Sequence, residues 1–399
     1  MIYNQTKYNS SWGTKKLDDL GVFSRGKSKH RPRNDPQLFE NGTYPLVQTG
    51  DIKSAVFYIS HHEQTYNDFG LSQSKLWPAG TLCITIAANI AETGILAYPM
   101  CFPDSVVGFT AYPEETTEAF MHYVFTYIRQ SIQNSITGSI QDNINIDYLK
   151  SLDFKIPGRL YQDKIVSILL GIDSKIELNA QICSELEAMA KTLYDYWFVQ
   201  FDFPNVNGKP YRTSGGEMVW NEQLKREIPK GWEVSSVGKV ASVCTGKEDA
   251  NFATVNGKYK FFTCSQESLL CDTPIFSGHA VLIAGNGDFN VKHYTGDFNA
   301  YQRTYVLIPD NPMYYGIMYM AAKNQIQALK NGSNGSIVKF ITKSDVETIP
   351  ILFPIGDSIC PQLNNILIKI EHCKRENDEL SKLRDWLLPM LMNGQARVE

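Results

Sequence analysis

The sequence has no apolar run near the ~20 residues needed to cross a bilayer, no Cys-x-x-Cys pair and no excess of basic residues. The first absence argues against an integral membrane protein. The eight cysteines are scattered at 83, 101, 183, 244, 264, 271, 360 and 373, which reads as reduced thiols without a disulfide framework or zinc site. A net charge of −4 argues against a bulk electrostatic polyanion binder, because counterion release needs clustered Lys and Arg. Local basic patches remain open. The opening "MIYNQTKYNSSWGTKK" has no apolar core, so no signal peptide is expected, and the chain reads as soluble and cytoplasmic.

Catalytic patterns are equally scarce. An adenine methyltransferase needs an Asn/Asp-Pro-Pro-aromatic loop; "DNPMYYG" (310–316) comes close, but Met313 replaces the second proline and an apolar helix follows. "IAGNGDF" (283–289) holds Gly-x-Gly without the third glycine, and "TGKE" (245–248) lacks the rest of a phosphate-binding loop. No Glu is followed two places later by Lys, the usual nuclease pair. Adjacent His61 and His62 read as a solvated loop, and no metal site is expected.

Repetition is abundant. "GSIQDNINIDYLKSLDFKIP" (138–157) and "GSIVKFITKSDVETIPILFP" (335–354) match without a gap at an offset of 197. Gly138/Gly335, Ser139/Ser336, Ile140/Ile337, Ile144/Ile341, Leu149/Val346 and Pro157/Pro354 coincide. Near the start, "SWGTKKLDDLGVFSRGK" (11–27) aligns with "GWEVSSVGKVASVCTGK" (231–247) at an offset of 220, bringing Trp12 to Trp232 and Gly26-Lys27 to Gly246-Lys247. "LCITIAANIAE" (82–92) parallels "HAVLIAGNGDF" (279–289). The common order identifies a duplication, which suits a chain of 399 residues, long for one core. The falling offset gives the first copy longer loops. Alternating apolar residues such as Leu82, Ile84, Ile86 and Val281, Ile283 predict strands, and "TTEAFMHYVFTYIRQSI" and "NPMYYGIMYMAAKNQIQALK" predict equivalent helices. The fold class is therefore tandem mixed α/β (α+β) modules, each ending at a proline, Pro157 or Pro354.

A long helix follows each module, over 161–198 and 361–394, with only Gly171 and Pro389 as interruptions. Leu169, Ile172, Ile176, Asn179, Cys183, Leu186, Ala190, Leu193 and Trp197 recur at alternating three and four spacing. So do Leu363, Ile366, Ile370, Cys373, Asn377, Leu380, Arg384, Leu387 and Leu391. This is a heptad seam, and an antiparallel coiled coil about a pseudo-two-fold axis is expected, the alternative being two amphipathic helices each packed on its own module. Residue numbers summing to a constant put Ile176 on Leu380, Asn179 on Asn377, Cys183 on Cys373 and Leu186 on Ile370. Two amides then face each other, which avoids the ~1–3 kcal/mol cost of an unpaired buried amide. Arg384 opposite Ile172 fits worst and is expected to fray outward. Such a helix is ~54 Å long at 1.5 Å per residue, more than the ~34 Å of one DNA turn.

Candidate contacts are polar. "SRGKSKHRPRND" (24–35) gathers Arg25, Lys27, Lys29, Arg31 and Arg33 in what reads as a flexible basic arm for phosphates, with Lys247 as the repeat of Lys27. Amide-rich loops after strands offer Gln48, Thr49, Asn89, Gln266, Asn286 and Asn290, with Lys292. Asn and Gln pair bidentately with adenine, and Arg and Lys read guanine.

These pieces closely resemble the specificity subunit of type I restriction–modification systems, over essentially the whole chain. The carriers are "IPKGWEVSSVGKV" (228–240), "NGSNGSIVKFITKSDVETIPI" (331–351), "LLPMLMNGQ" (387–395) and the junction 194–229. The resemblance implies target-recognition domains at 1–157 and 229–355, spacer helices at 158–200 and 356–399, and a connector at 201–228. Each domain would read one part of a split, asymmetric sequence in double-stranded DNA, with the helices setting the unread gap. It implies a subunit without catalytic residues. Two methyltransferase subunits would supply S-adenosylmethionine and restriction subunits ATP and Mg, with no membrane partner. Two alternatives stay open: a self-contained DNA methyltransferase or nuclease with a degenerate site, and a coiled-coil protein-binding scaffold.

Overall fold

The computed structural model describes residues 4–137, 144–287, 289–331, 339–356 and 359–398. The leading Gly-Ser-Ile of each echo, 138–140 and 335–337, lies outside these residues. The chain divides into two compact units, Met1–Leu178 with Glu376–Glu399, and Asn179–Arg375.

In the first unit, opening strand Gly13–Lys16 pairs antiparallel with closing strand Asp153–Ile156, Gly13 opposite Ile156. A five-stranded sheet follows in the order Gly21–Arg25, Val106–Ala111, Leu82–Thr85, Thr93–Leu96, Tyr58–Ile59. Helix α1 (Glu118–Thr137) covers one face, where Leu82, Ile84, Val107 and Phe109 share a core with Phe120, Val124, Phe125 and Ile128. Cys83 and Val106 turn to the other face, joining Trp77, Met100 and Phe102. Strand Leu82–Thr85 is buried on both sides, hence its continuous apolar run. A second sheet, ordered Gln64–Tyr66, Tyr44–Leu46, Met100–Cys101, Leu76–Trp77, has a three-stranded counterpart in the second unit (Leu269–Cys271, Tyr259–Phe262, Phe298–Ala300), and strand Leu76–Trp77 with helices Thr49–Ser54 and Asp68–Gln73 lengthens this copy.

The second unit repeats the frame. Opening strand Glu233–Ser236 pairs with Pro350–Phe353, and a four-stranded antiparallel sheet runs Ala241–Thr245, Thr304–Pro309, His279–Ala284, Val291–Thr295. Asn145 and Thr342 cap matching single-turn helices before the closing strands, accepting from the backbone N–H of Tyr148 and Asp345.

Helix α2 (Arg159–Tyr194) starts two residues after the first closing strand. Helix α3 (Tyr315–Asn331) belongs to the second sheet, and helix α4 (Ile359–Met392) follows its closing strand. In both units a side-chain amide from the first turns of the long helix clasps the loop that leads into the module helix. Gln162, 1% exposed, donates to the carbonyls of Glu115 (2.8 Å) and Pro157 (2.9 Å) and accepts from the Thr116 hydroxyl (2.9 Å). Asn364 donates to the Pro312 (3.0 Å) and Met313 (3.3 Å) carbonyls and accepts from Gly316 N–H (2.7 Å). The "DNPMYYG" stretch is thus a helix entry, with Asn311 capping Met313 N–H.

The long helices pair within each unit. In the first they run antiparallel: Asn377 donates its amide to the Ile176 carbonyl (3.0 Å), and Asp173 meets Arg384 (3.1 Å). Arg384 does not fray. Its side chain is 26% exposed and its guanidinium neutralises Asp173, a carboxylate 2% exposed that also accepts from the Tyr123 hydroxyl (2.7 Å). Arg384 stays in, contrary to the expected fraying, because its partner Asp173 sits one position beside the seam residue Ile172. In the second unit the Cys183 thiol donates to the Ile370 carbonyl (3.7 Å) and lies against Cys373; burial, then that neighbouring thiol, push Cys183 up to about 11. Ile176, Asn179, Cys183, Ile366 and Ile370 are buried, and Ile172, Leu186, Cys373, Asn377 and Leu380 half-buried.

Removing one member of a buried ion pair leaves the other charge uncompensated. Arg384→Met should destabilise the full chain by about 3 kcal/mol in urea unfolding, and adding Asp173→Asn should restore most of it; equal losses in single and double variants would deny the pairing. Gln162→Met, which strands two buried carbonyls and a hydroxyl, should cost about 2–4 kcal/mol in the same measurement.

Candidate nucleic-acid interface

One end of each main sheet is built by the same backbone bonds. Gly26 N–H donates to Val106 carbonyl (2.8 Å) and Gly246 N–H to Thr304 carbonyl (3.1 Å). Ile86 N–H donates to Ser105 carbonyl (2.9 Å), matched by Gly285 to Arg303 (2.8 Å). Ile144 N–H donates to Ile86 carbonyl (3.0 Å), matched by Ile341 to Gly285 (3.1 Å). Both glycines are required by close approach: a Cβ on Gly26 would sit 2.3 Å from the Pro103 carbonyl oxygen, and one on Gly246 1.9 Å from that of Ala300. Lys27 and Lys247 therefore leave the frame at equivalent points.

In the first module the basic segment is tied down, contrary to the flexible arm expected. Lys27 and Lys29 donate their backbone N–H groups to Phe102 and Gln73, and Arg31 donates to the Ser28 (2.6 Å) and His30 (2.8 Å) carbonyls. Arg31 and Arg33 share Asp104, at 3.7 and 2.8 Å. Asp35 is held below the usual carboxylate range by the Gln37 N–H and then by His30. Arg25, Lys27 and Lys29 carry no ion pair among the described residues and form the cationic end. Gln48 is exposed, precedes the helix Thr49–Ser54, and donates its amide to Gln64 (3.2 Å); Thr49 is half-buried. Asn89 sits in a tight turn between Ala88 and Ala91, both at positive φ, where its carbonyl accepts from the Thr85 hydroxyl.

In the second module Lys247 and Gln266 are exposed. Asn290 donates its amide to the Cys264 carbonyl (2.7 Å), and Lys292 donates to the carbonyls of Thr263 (3.2 Å) and Ser265. Burial lowers the Lys292 pKa. These two side chains are engaged in holding the loop that carries Gln266. Asn286 bridges to Phe340. Beside it lie Gln302 and Arg303, both exposed, which the sequence reading passed over. The signal that could have found them is the repeat, which sets them against Asp104 and Ser105 with changed charge.

His61 is exposed and His62 bonds the Tyr98 hydroxyl (2.6 Å); among the described residues no cluster of His, Cys, Asp or Glu could hold a metal ion. Nor is any described helix long and apolar enough to cross a membrane.

Two copies of one α/β frame, each with exposed cations and amides at the same sheet end, define a tandem recognition protein. The type I restriction modification DNA specificity domain matches the chain twice, over residues 9–188 and 229–380. The chain belongs to this family, and its role is DNA sequence recognition. The EcoDI specificity subunit of Escherichia coli is 33% identical over 180 residues, which cover 43% of this chain and 40% of that protein. The MjaIX specificity subunit of Methanocaldococcus jannaschii is 23% identical over 426 residues, covering 98% of this chain and 95% of that one. Among solved structures, the S subunit of a type I restriction–modification system from M. genitalium superposes with a TM-score of 0.62 at 16% identity, over 98% of this chain and 99% of that one, and shares the fold.

Lys27 and Lys247 stand on the shared part of the frame, where a contact serves any sequence. Replacing either by Ala should weaken DNA binding by the assembled complex equally on all duplexes and reduce the salt slope by about 1. A changed sequence preference in competition binding would assign them to base reading instead.

Proposed function

We propose that this chain is the non-catalytic specificity subunit of a type I restriction–modification complex, each module reading one half of a split, asymmetric duplex sequence. One observation carries the reading: the two modules share their hydrogen-bonded frame while the side chains at its end differ in charge. A reader of one continuous site would not need the same frame twice. The paired helices set the number of unread base pairs and dock two methyltransferase subunits. Those partners bind S-adenosylmethionine and extrude the adenine; restriction subunits bring ATP and Mg. Arg25, Lys27, Lys29 and Lys247 contact phosphates, and Gln48, Gln266 and Asn286 lie toward bases.

Mapping methylated adenines in DNA modified by the complex reconstituted with a methyltransferase partner tests this. The expected result is two short half-sites at a fixed gap. Inserting seven residues into each long helix at matched seam positions adds ~10 Å and should widen the gap by about three base pairs, leaving both half-sites unchanged. Altered half-sites at a constant gap would overturn the division of labour, and methyl transfer by the chain alone would overturn the non-catalytic reading.

A further inference from the structure

The two frames differ in charge at one corner of the sheet end. The matched bonds make Ser105 the counterpart of Arg303, Asp104 that of Gln302, and Arg25 that of Thr245. In the first module this corner is self-satisfied, Asp104 holding Arg31 and Arg33. In the second module the corner opens into a pocket of about 350 Å³ lined by Thr245, Gly285, Gln302, Arg303, Tyr305 and Phe340. Its walls are fixed: Gly285 N–H holds the Arg303 carbonyl, and the Tyr305 hydroxyl donates to the Ile341 carbonyl (3.0 Å). Phe340, a large apolar ring 41% exposed, stands at the rim. Arg303 makes no ion pair with any described residue.

The geometry points to this pocket as a base-reading site of the second module, with Arg303 directed to the O6/N7 edge of a guanine, Gln302 beside it and Phe340 giving apolar contact. A guanidinium held on a strand-anchored backbone presents two parallel donors, the arrangement that selects guanine in the major groove. A fixed backbone matters because an arm that follows the duplex would reach any base equally. The inference rests on the half-site reading above and names one position within it.

The test uses the full chain in complex with its methyltransferase partner, and a randomised duplex library or mapped adenine methylation as readout. For Arg303→Ala and Arg303→Lys, preference at one guanine in one half-site should fall roughly tenfold or more, with the other half-site unchanged. Arg303→Lys keeps the charge but loses the fork, so it separates base reading from a phosphate contact. Retention of the wild-type motif in both variants would overturn the proposal. So would an equal drop on all sequences in Arg303→Ala that Arg303→Lys restores, which marks a phosphate contact. If the wild-type complex itself yields no split motif, the half-site reading fails, and the inference with it.

Discussion

The interaction on which the rest of each module depends is the amide clasp at the base of the long helix. A closing strand alone would leave the module free to swivel about the short segment that joins it to the helix. Gln162 and Asn364 remove that freedom by tying the helix to the loop before α1 or α3, with three hydrogen bonds each. Gln162 is buried, where an amide is costly unless satisfied, and Asn364 is half-buried, so each bonded clasp favours one geometry over many poorer ones. Sheet, module helix and long helix then move as one body within each unit. The buried Tyr123–Asp173–Arg384 network adds a second tie in the first unit, and the His293–Glu371 pair (3.1 Å) adds one in the second.

The architecture was legible in the sequence because its signals are periodic and duplicated. Two ordered offsets exposed the repeated frame, and three-four spacing with polar seam residues exposed long helices that pair antiparallel. The ties were not legible for the opposite reason. Gln162 and Asn364 do not fall on matching positions of the two helices, so the repeat conceals them. Asp173 stands beside the seam, and only its burial shows why Arg384 belongs there. Polar side chains at loops were the least legible. Asn290 and Lys292 look like contacts in sequence, but tertiary structure turns their donors onto the carbonyls of 263–265. The same ambiguity hid Gln302 and Arg303, which follow Tyr301 at the end of a buried apolar stretch and read as a strand entry.

The charge balance of the whole chain and that of its sheet ends are separate matters. A net charge of −4 is compatible with nucleic-acid recognition because exposed cations gather at the sheet ends. In the first module Asp104 neutralises part of the basic segment and locks its shape; what remains outward is Arg25, Lys27 and Lys29. In the second the cations are fewer, and Arg303 stands at a corner with Gln302 and Thr245. An acidic remainder opposes long-range attraction of a polyanion, and salt screens short-range contacts less than that long-range term.

Divergence at a fixed point is also the cheapest way to change what is read. Residues at Asp104/Gln302 and Ser105/Arg303 hang from backbone whose hydrogen bonds are made by the frame, not by the side chains. Substituting Ser105, Gln302 or Arg303 alters charge and reach without breaking an ion pair among the described residues, so stability changes little, whereas Asp104 also holds Arg31 and Arg33. The same substitution at Lys292 or Gln162 would release a loop or a clasp, and the frame would be lost before any new sequence was read. Two classes of polar residue thus coexist in the modules: those whose donors are engaged by carbonyls, and those held up by backbone.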